Sequence, residues 1–252
     1  MDDQARPFEI RLARDEADIK AAQRLRYEVF VRELGGNGAL VDHDQELERD
    51  MFDDHADHLL ALDPARDGRL AGVYRLMRKD HARAAGRFYS ESEYDLTPLL
   101  TSNRVLLELG RSCLHPDYRG GSVMFHMWQG LAEYVLEHEI GILFGTASFH
   151  GTDTDALAGP LSFLHHRHLA PEDLRVRAKK FTPMDKIAED VLDRRAAMQA
   201  MPALIRAYLR LGGCVGDGAF VDHEFNTTDI CLVMDTERMN DRQRALYVKG
   251  TS

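Results

Sequence analysis

The sequence predicts a single domain of mixed α/β type running over residues 1–252. Three observations carry that reading. Short alternating or wholly apolar stretches of strand character are interleaved with longer segments whose apolar residues recur at helical spacing. Hydrophobic residues make up 44% of the chain, enough to bury a sizeable core. The length allows one large domain or two small ones, but no internal repeat, low-complexity tract or Pro/Gly/Ser-rich linker divides it.

In chain order, "FEIRLAR" sets Phe8, Ile10 and Leu12 against polar neighbours and reads as a first strand. Asp15 is placed to cap a helix over "DEADIKAAQRLRYEVFVREL". Ile19, Ala22, Leu25 and Val29 share one face of it, and Gly35, Gly36 and Gly38 supply the stop. A long acidic loop follows, "NGALVDHDQELERDMFDDHADH". "HLLAL" and "RLAGVYRLM" flank the turn "DPARDG" as a hairpin. After a polar stretch, "LLELGRSCLHPDYRGGSVMFHMWQG" begins as a buried strand and ends as an amphipathic helix. "GILFGTASF" is another apolar strand, and "DTDALAGPLSFLHHRH" is a short helix. "LRVRAKKF" alternates like a basic edge strand, and "MPALIRAYLRLGG" is a helix with a glycine stop. "CVGDGAFVD" and "TDICLVMD" are the closing strands.

Composition removes several function classes. A net charge of −10 gives no global attraction to nucleic acid or anionic membrane. Cys113, Cys214 and Cys231 cannot all pair with one another and lack CxxC spacing, so reduced cytosolic thiols are the simplest reading. "MDDQARPFEIRLARDE" has no apolar h-region. No uncharged apolar run approaches the roughly 20 residues needed to span a bilayer. A cytoplasmic protein is expected, with any membrane contact peripheral and at the inner face. There is no G-x-S-x-G, and no G-x-G-x-x-G follows a strand, which argues against a hydrolase triad and a dinucleotide fold. His55 and His58 in "DDHADH", and the histidines of "HHRH" at 165–168, lack tight ligand spacing, so no metal is expected.

The strand–turn–helix at 106–130 holds the chemistry. Positions 108 and 111 of an extended strand face opposite sides unless a bulge intervenes. The neighbours Leu106, Leu107 and Leu109 suggest burial. A buried carboxylate must find a partner or raise its pKa, which makes Glu108 a candidate general base. The plainer reading is an ion pair or a solvent-facing edge. At the strand exit, Gly120 and Gly121 would let backbone N–H groups approach a phosphate, with Arg119 as a fixed cation beside a helix N-terminus. The plainer reading there is a tight turn. The acids of residues 42–57, opposed only by Arg49, read first as a solvated loop.

A strand carrying an acid, then a Gly-containing turn, then a helix resembles the acyl-CoA-binding core of the GCN5-related N-acetyltransferase (GNAT) fold. The resemblance implies a central mixed sheet flanked by helices, with strands 104–114 and 141–149 splayed around the acyl chain. "DYRGGS" departs from the R/Q-x-x-G-x-G/A turn usual there, and is closer to a branch that takes its acyl group from acyl carrier protein. The chain resembles acyl-homoserine lactone synthases through Arg26 and Phe30 in "LRYEVF", Asp50 and Asp53 in "ERDMFDD", Arg75 in "VYRLM", and Glu108 and Arg111 in "ELGR". "ELGGNG" stands where those synthases carry a tryptophan. It is more similar still, over roughly residues 8–240, to the ornithine N-acyltransferases of ornithine-lipid synthesis, the haemolysin-like acyltransferases. The matching blocks are "GRFYSESEYDL", "ELGRSCLHPDYRGG", "LFGTASFHGTD" with Ser148, and "LIRAYLRLGGCVGDGAFVDHEFNTTDICLVMD". His150 occupies a position where proline is usual.

This resemblance implies an N-acyltransferase that moves a (3-hydroxy)acyl chain from acyl carrier protein to the α-amine of L-ornithine, giving lyso-ornithine lipid. No cofactor is bound permanently, because the acyl-phosphopantetheine of the carrier is itself the donor. A separate O-acyltransferase would add any second chain. Glu108 and Arg111 are the implied catalytic pair, with Arg26, Phe30, Asp50, Asp53, Arg75 and Ser148 at the substrates. Arg119, Gly120 and Gly121 would meet phosphopantetheine. The basic strip of Arg175, Arg177, Lys179 and Lys180 would dock the acidic carrier or anionic lipid heads. A lactone synthase, an N-acyltransferase for another amino acid, and a catalytically silent carrier-binding module are the alternatives. The missing tryptophan, the extended C-terminal third and "ASFHGTD" oppose the lactone synthase, and retention of Glu108 and Arg111 opposes the silent module.

Overall fold

A computed structural model describes residues 7–239. Its elements are β1 (Glu9–Leu12), α1 (Glu16–Arg26), β2 (Asp57–Asp63), β3 (Arg69–Arg78), α2 (Lys79–Ala85), β4 (Tyr94–Asp95), α3 (Thr97–Leu100), β5 (Leu106–Leu114) and α4 (Val123–Glu137). These are followed by β6 (Ile142–His150), α5 (Ala158–His168), β7 (Arg177–Ala178), α6 (Arg194–Ala200), α7 (Ala203–Arg210), β8 (Cys214–Val215), β9 (Phe220–Asp222) and β10 (Thr227–Asp235). The chain divides into two compact units. Within the described residues the first comprises 7–77 and 109–139, and the second 78–108 and 140–239. No described helix is long and apolar enough to cross a membrane.

In the first unit, β1, β2 and β3 are antiparallel neighbours and the second half of β5 lies next to β3. Alternation along these strands sends side chains to two faces, and a helix covers each. On one, Ala22, Leu25 and Val29 pack with Leu60, Val73 and Cys113. On the other, α4 lies close enough that a Cβ at Gly130 would collide with Ile10, and one at Gly72 would lie 2.7 Å from Met127 Sδ. Asp15 caps α1 as its position predicts, accepting from the Asp18 amide at 2.9 Å. The helix does not continue unchanged. Residues Tyr27–Glu33 form a π-helix, closed by Gly36 N–H to Phe30 O at 2.8 Å and ended by Gly35 at φ +76°. Apolar periodicity over seven residues cannot separate this wider turn from an α-helix.

In the second unit, the first half of β5 runs parallel to β6, with Leu106, Leu107 and Glu108 opposite Ile142, Leu143 and Phe144. β10 is antiparallel to β6 over its whole length, from Thr227 opposite His150 to Asp235 opposite Ile142, and takes β8 and β9 on its other side. Arg104 ties the end of this sheet by a two-nitrogen grip on Asp235 at 2.7 and 3.1 Å. The sheet is thus mixed, antiparallel except at β5–β6. "LRVRAKKF" is not a full edge strand. Val176 and Ala178 are buried as the alternation predicts, but the backbone finds scattered partners. Arg177–Ala178 pairs with Tyr94–Asp95, Lys179 N–H reaches Glu93 O at 2.7 Å, and Thr182 bridges Ala219.

Candidate active site

In the first unit, six charged side chains close into a ring of alternating sign. Arg26, at the end of α1, grips Asp53 through both terminal nitrogens at 2.8 and 2.9 Å and sends Nε to Glu48 at 2.5 Å. Glu48 accepts from Arg111 Nε at 3.1 Å, and Arg111 Nη2 reaches Asp50 at 3.0 Å. Arg75 Nη1 on β3 closes the circuit, 2.6 Å from Asp50 and 2.9 Å from Asp53. Gln23 adds a bond to Asp53 at 3.0 Å. Burial alone would raise the Asp53 carboxyl, but Arg26 and Arg75 outweigh it and hold the group well below the usual carboxylate range. Asp50 is likewise lowered, burial being overcome by Arg75 and Arg111. Asp50 and Asp53 therefore stay ionised, and the ring sets three guanidinium groups against three carboxyl groups.

Burial grades around the ring. The side chains of Arg26, Glu48, Asp53 and Arg75 are at most 3% exposed, whereas neighbouring Arg111 and Asp50 reach 13% and 15%. Asp50 also lines a cavity of about 590 Å³ formed with Ala39–Asp44 and Arg49. The accessible edge of the ring is therefore one cation beside one anion.

Arg111 reaches this ring by an irregular backbone. Its φ is +51° inside β5, a left-handed conformation that costs an ordinary L-residue about 1–2 kcal/mol. Phe30 packs against the apolar cluster under α1. Arg119 is held by Glu33 through two bonds at 2.6 and 2.7 Å, and Gly120 sits at φ +76° in the turn before α4. A phosphate arriving at this turn must exchange with Glu33 for the guanidinium.

In the second unit, Glu108 is 4% exposed and takes backbone amides. Its two oxygens accept from Tyr89 N at 2.9 Å and Ser90 N at 2.6 Å. Those residues open the 3₁₀ turn Tyr89–Ser92, whose first N–H groups have no partners within the turn. The turn is further fixed by Phe88 N–H to Glu91 at 2.7 Å, and by the Phe88 ring edge-on to Phe144 at 5.1 Å. Phe144 is the strand partner of Glu108, so the "GRFYSESEYDL" block is built around that carboxylate. Burial pushes the Cys231 thiol up, and the Glu108 and Glu93 carboxylates add to it.

Ser148 is exposed on β6, opposite Asp229 of β10. Asp229 gathers with Glu93 and Asp222, their oxygens within 4.8 Å of one another. More than a hundred residues separate Glu93 from the other two, and nothing in the sequence links them. The basic strip is largely engaged. Arg175 Nε bonds Ala170 O at 2.7 Å, Arg177 pairs with Asp217, and Lys179 Nζ reaches Glu91 O. Lys180 is exposed, with its ammonium 5.8 Å from the Phe220 ring centroid.

Comparison with known proteins bears on the fold and the family. Residues 25–129 match the Acetyltransferase (GNAT) domain family. The solved structure of a CoA-dependent acyl-homoserine lactone synthase, BjaI, superposes with a TM-score of 0.55 at 14% identity, covering 96% of this chain and 88% of that one, which shows a shared fold. The L-ornithine N(alpha)-acyltransferase of Rhodobacter capsulatus is 60% identical over 96% of this chain and 95% of its own length. That of Brucella abortus is 41% identical over 95% of this chain and 88% of its own. With two such relatives matched over nearly their whole lengths and a lactone-synthase-like GNAT fold, the chain belongs to the L-ornithine N(alpha)-acyltransferase family.

Proposed function

We propose that this acyltransferase moves a fatty acyl group, of 3-hydroxy type, from the phosphopantetheine thioester of acyl carrier protein to the α-amine of L-ornithine. The 60% identity to a relative so named supports the acceptor. The observation that carries the reading at the level of residues is the accessible edge of the charged ring. Ornithine attacking through its α-amine still carries a carboxylate and a δ-ammonium. Arg111 and Asp50 offer the matching pair of opposite charges, and Asp50 lines the cavity. Asp53, fully engaged with two arginines, holds the ring together and does not receive the acceptor directly.

In the reaction, the neutral amine nitrogen attacks the thioester carbonyl carbon. Glu108 takes the amine proton directly or through one water. The tetrahedral intermediate then expels the thiolate, which takes that proton back from Glu108, directly or through the same water, and leaves as the carrier's thiol. The products are N-acyl-ornithine, a lyso-ornithine lipid, and the free carrier. A second acyl chain requires a separate O-acyltransferase. Turnover with purified acyl carrier protein, ornithine and mass detection of the amide tests the whole reading, and no amide under those conditions refutes it.

Two variants test its parts. Asp50→Asn removes the anion at the ring's accessible edge and is expected to raise the KM for ornithine about tenfold, equivalent to about 1.4 kcal/mol, with the KM for the acyl donor little changed. Unchanged constants for both substrates would leave the acidic loop as a structural ring only. The charge reversals Lys179→Glu and Lys180→Glu address the donor. They are expected to raise the KM for acyl carrier protein and to flatten its dependence on salt. Equal or better turnover of wild-type enzyme with acyl-CoA would displace the carrier protein as donor.

A further inference from the structure

His58 stands beside the charged ring without belonging to it. It is 1% exposed on β2, directly across from Arg75 on β3, so the two side chains share a face of the hairpin. Its Nε2 lies 3.0 Å from the main-chain oxygen of Asp53. A carbonyl only accepts, so that nitrogen carries the ring's proton. Its Nδ1 is buried and meets no hydrogen-bond partner among the described residues. The Asp53 carbonyl opens the 3₁₀ turn Asp53–His55, and the same residue's carboxylate is the one shared by Arg26 and Arg75.

We propose that His58 is a positioning residue for acceptor binding. Its Nε2–H holds the Asp53 carbonyl, this turn aims the Asp53 carboxylate between Arg26 and Arg75, and Arg75 in turn orients Asp50 at the accessible edge. The groups facing His58 are Asp53 from the turn, Arg26 from α1 and Arg75 from β3. The ring around it is already balanced, so an imidazolium would add an uncompensated cation in a dry site. Burial lowers the pKa of His58, and the two arginines reinforce this against the pull of Asp53. The neutral tautomer is therefore the working form. The proposal rests on the reading of Asp50 and Arg111 as the acceptor edge.

Three substitutions separate positioning from simple packing. Glutamine carries an amide nitrogen at about the reach of Nε2, asparagine falls short of it, and leucine has no donor. His58→Gln is expected to keep the KM for ornithine within about threefold of wild type. His58→Asn and His58→Leu are expected to raise it about tenfold or more, with the KM for acyl donor unchanged in all three. Nitrogen-15 spectra of the wild-type protein with labelled histidine are expected to show a neutral Nε2–H ring at pH 7.5 that takes up a proton only below the ordinary histidine range. If His58→Leu keeps the wild-type KM for ornithine while Asp50→Asn raises it, the positioning role is wrong and the acceptor edge stands. If neither variant moves that KM, the acceptor edge itself has failed, and positioning of an acceptor falls with it. A His58 ring that titrates near its ordinary value also overturns the proposal.

Discussion

Glu108→Gln is expected to lower kcat by about 10²–10⁴-fold, the usual range for loss of a positioned general base, with the KM for acyl donor retained. The substitution is not silent structurally. Both carboxylate oxygens accept backbone amides, from Tyr89 and Ser90. However the new amide is turned, its NH₂ faces one of those N–H groups. One buried donor is left unpaired, at a cost of about 1–3 kcal/mol, and a melting temperature lower by a few degrees should accompany the kinetic loss. The two effects are separable because Glu91 fixes the same turn from its other side, accepting Phe88 N–H. Glu91→Gln should lower the melting temperature while leaving most of kcat. Partial rescue of Glu108→Gln at higher pH is the further mark of a base, since more of the acceptor amine is then neutral. If Glu91→Gln loses as much kcat as Glu108→Gln, or if Glu108→Gln keeps kcat in its folded fraction, the carboxylate anchors the turn and takes no proton.

The sequence made the layered α/β architecture legible because burial leaves a period. The alternation of β1 to β3 and the helical spacing of Ala22, Leu25 and Val29 both report which face meets the core. Arg26 and Arg75 were reachable only through family resemblance, which also separated Asp50 and Asp53 from the other acids of their loop and gave Arg111 its role. Glu48 was missed altogether. It sits in a run of acids inside a loop, where no periodicity distinguishes a carboxylate that is 1% exposed from its solvated neighbours. The partners of Glu108 were invisible for another reason. Two of them are main-chain amides, which every residue carries, so no side chain in the sequence marks them. Three cations of the basic strip likewise have partners that sequence does not mark, since Arg177 meets Asp217, Lys179 meets Glu91 O and Arg175 meets Ala170 O. The gathering of Glu93 with Asp222 and Asp229 depends on tertiary contact alone.

The ring also predicts how this protein fails. Arg26 is wholly buried and contacts two of the three carboxylates. Arg26→Met keeps much of the side-chain volume and removes one positive charge, leaving Glu48 and Asp53 with one cation fewer in a desolvated site. Breaking a buried pair in this way costs about 3–5 kcal/mol, and urea unfolding at pH 7.5 should register it. The acid limb should move as well. Asp50 and Asp53 have folded-state pKa values depressed below the ordinary, unfolded value of about 3.9. They contribute stability that is fully present above that value and is lost as the pH falls through their folded values. His58 acts at higher pH. Its folded pKa is lowered, so the unfolded chain binds the proton more readily, and stability begins to fall below roughly pH 6.5. In Arg26→Met, Asp53 loses its strongest opposing charge, its carboxyl rises, and the acid unfolding midpoint should shift to higher pH. The double variant Arg26→Met/Asp53→Asn removes one charge of each sign, so it should be less destabilised than the sum of its parts. Additive losses, or a single-variant loss below about 1 kcal/mol, would mean that the ring is solvated enough for its members to act independently.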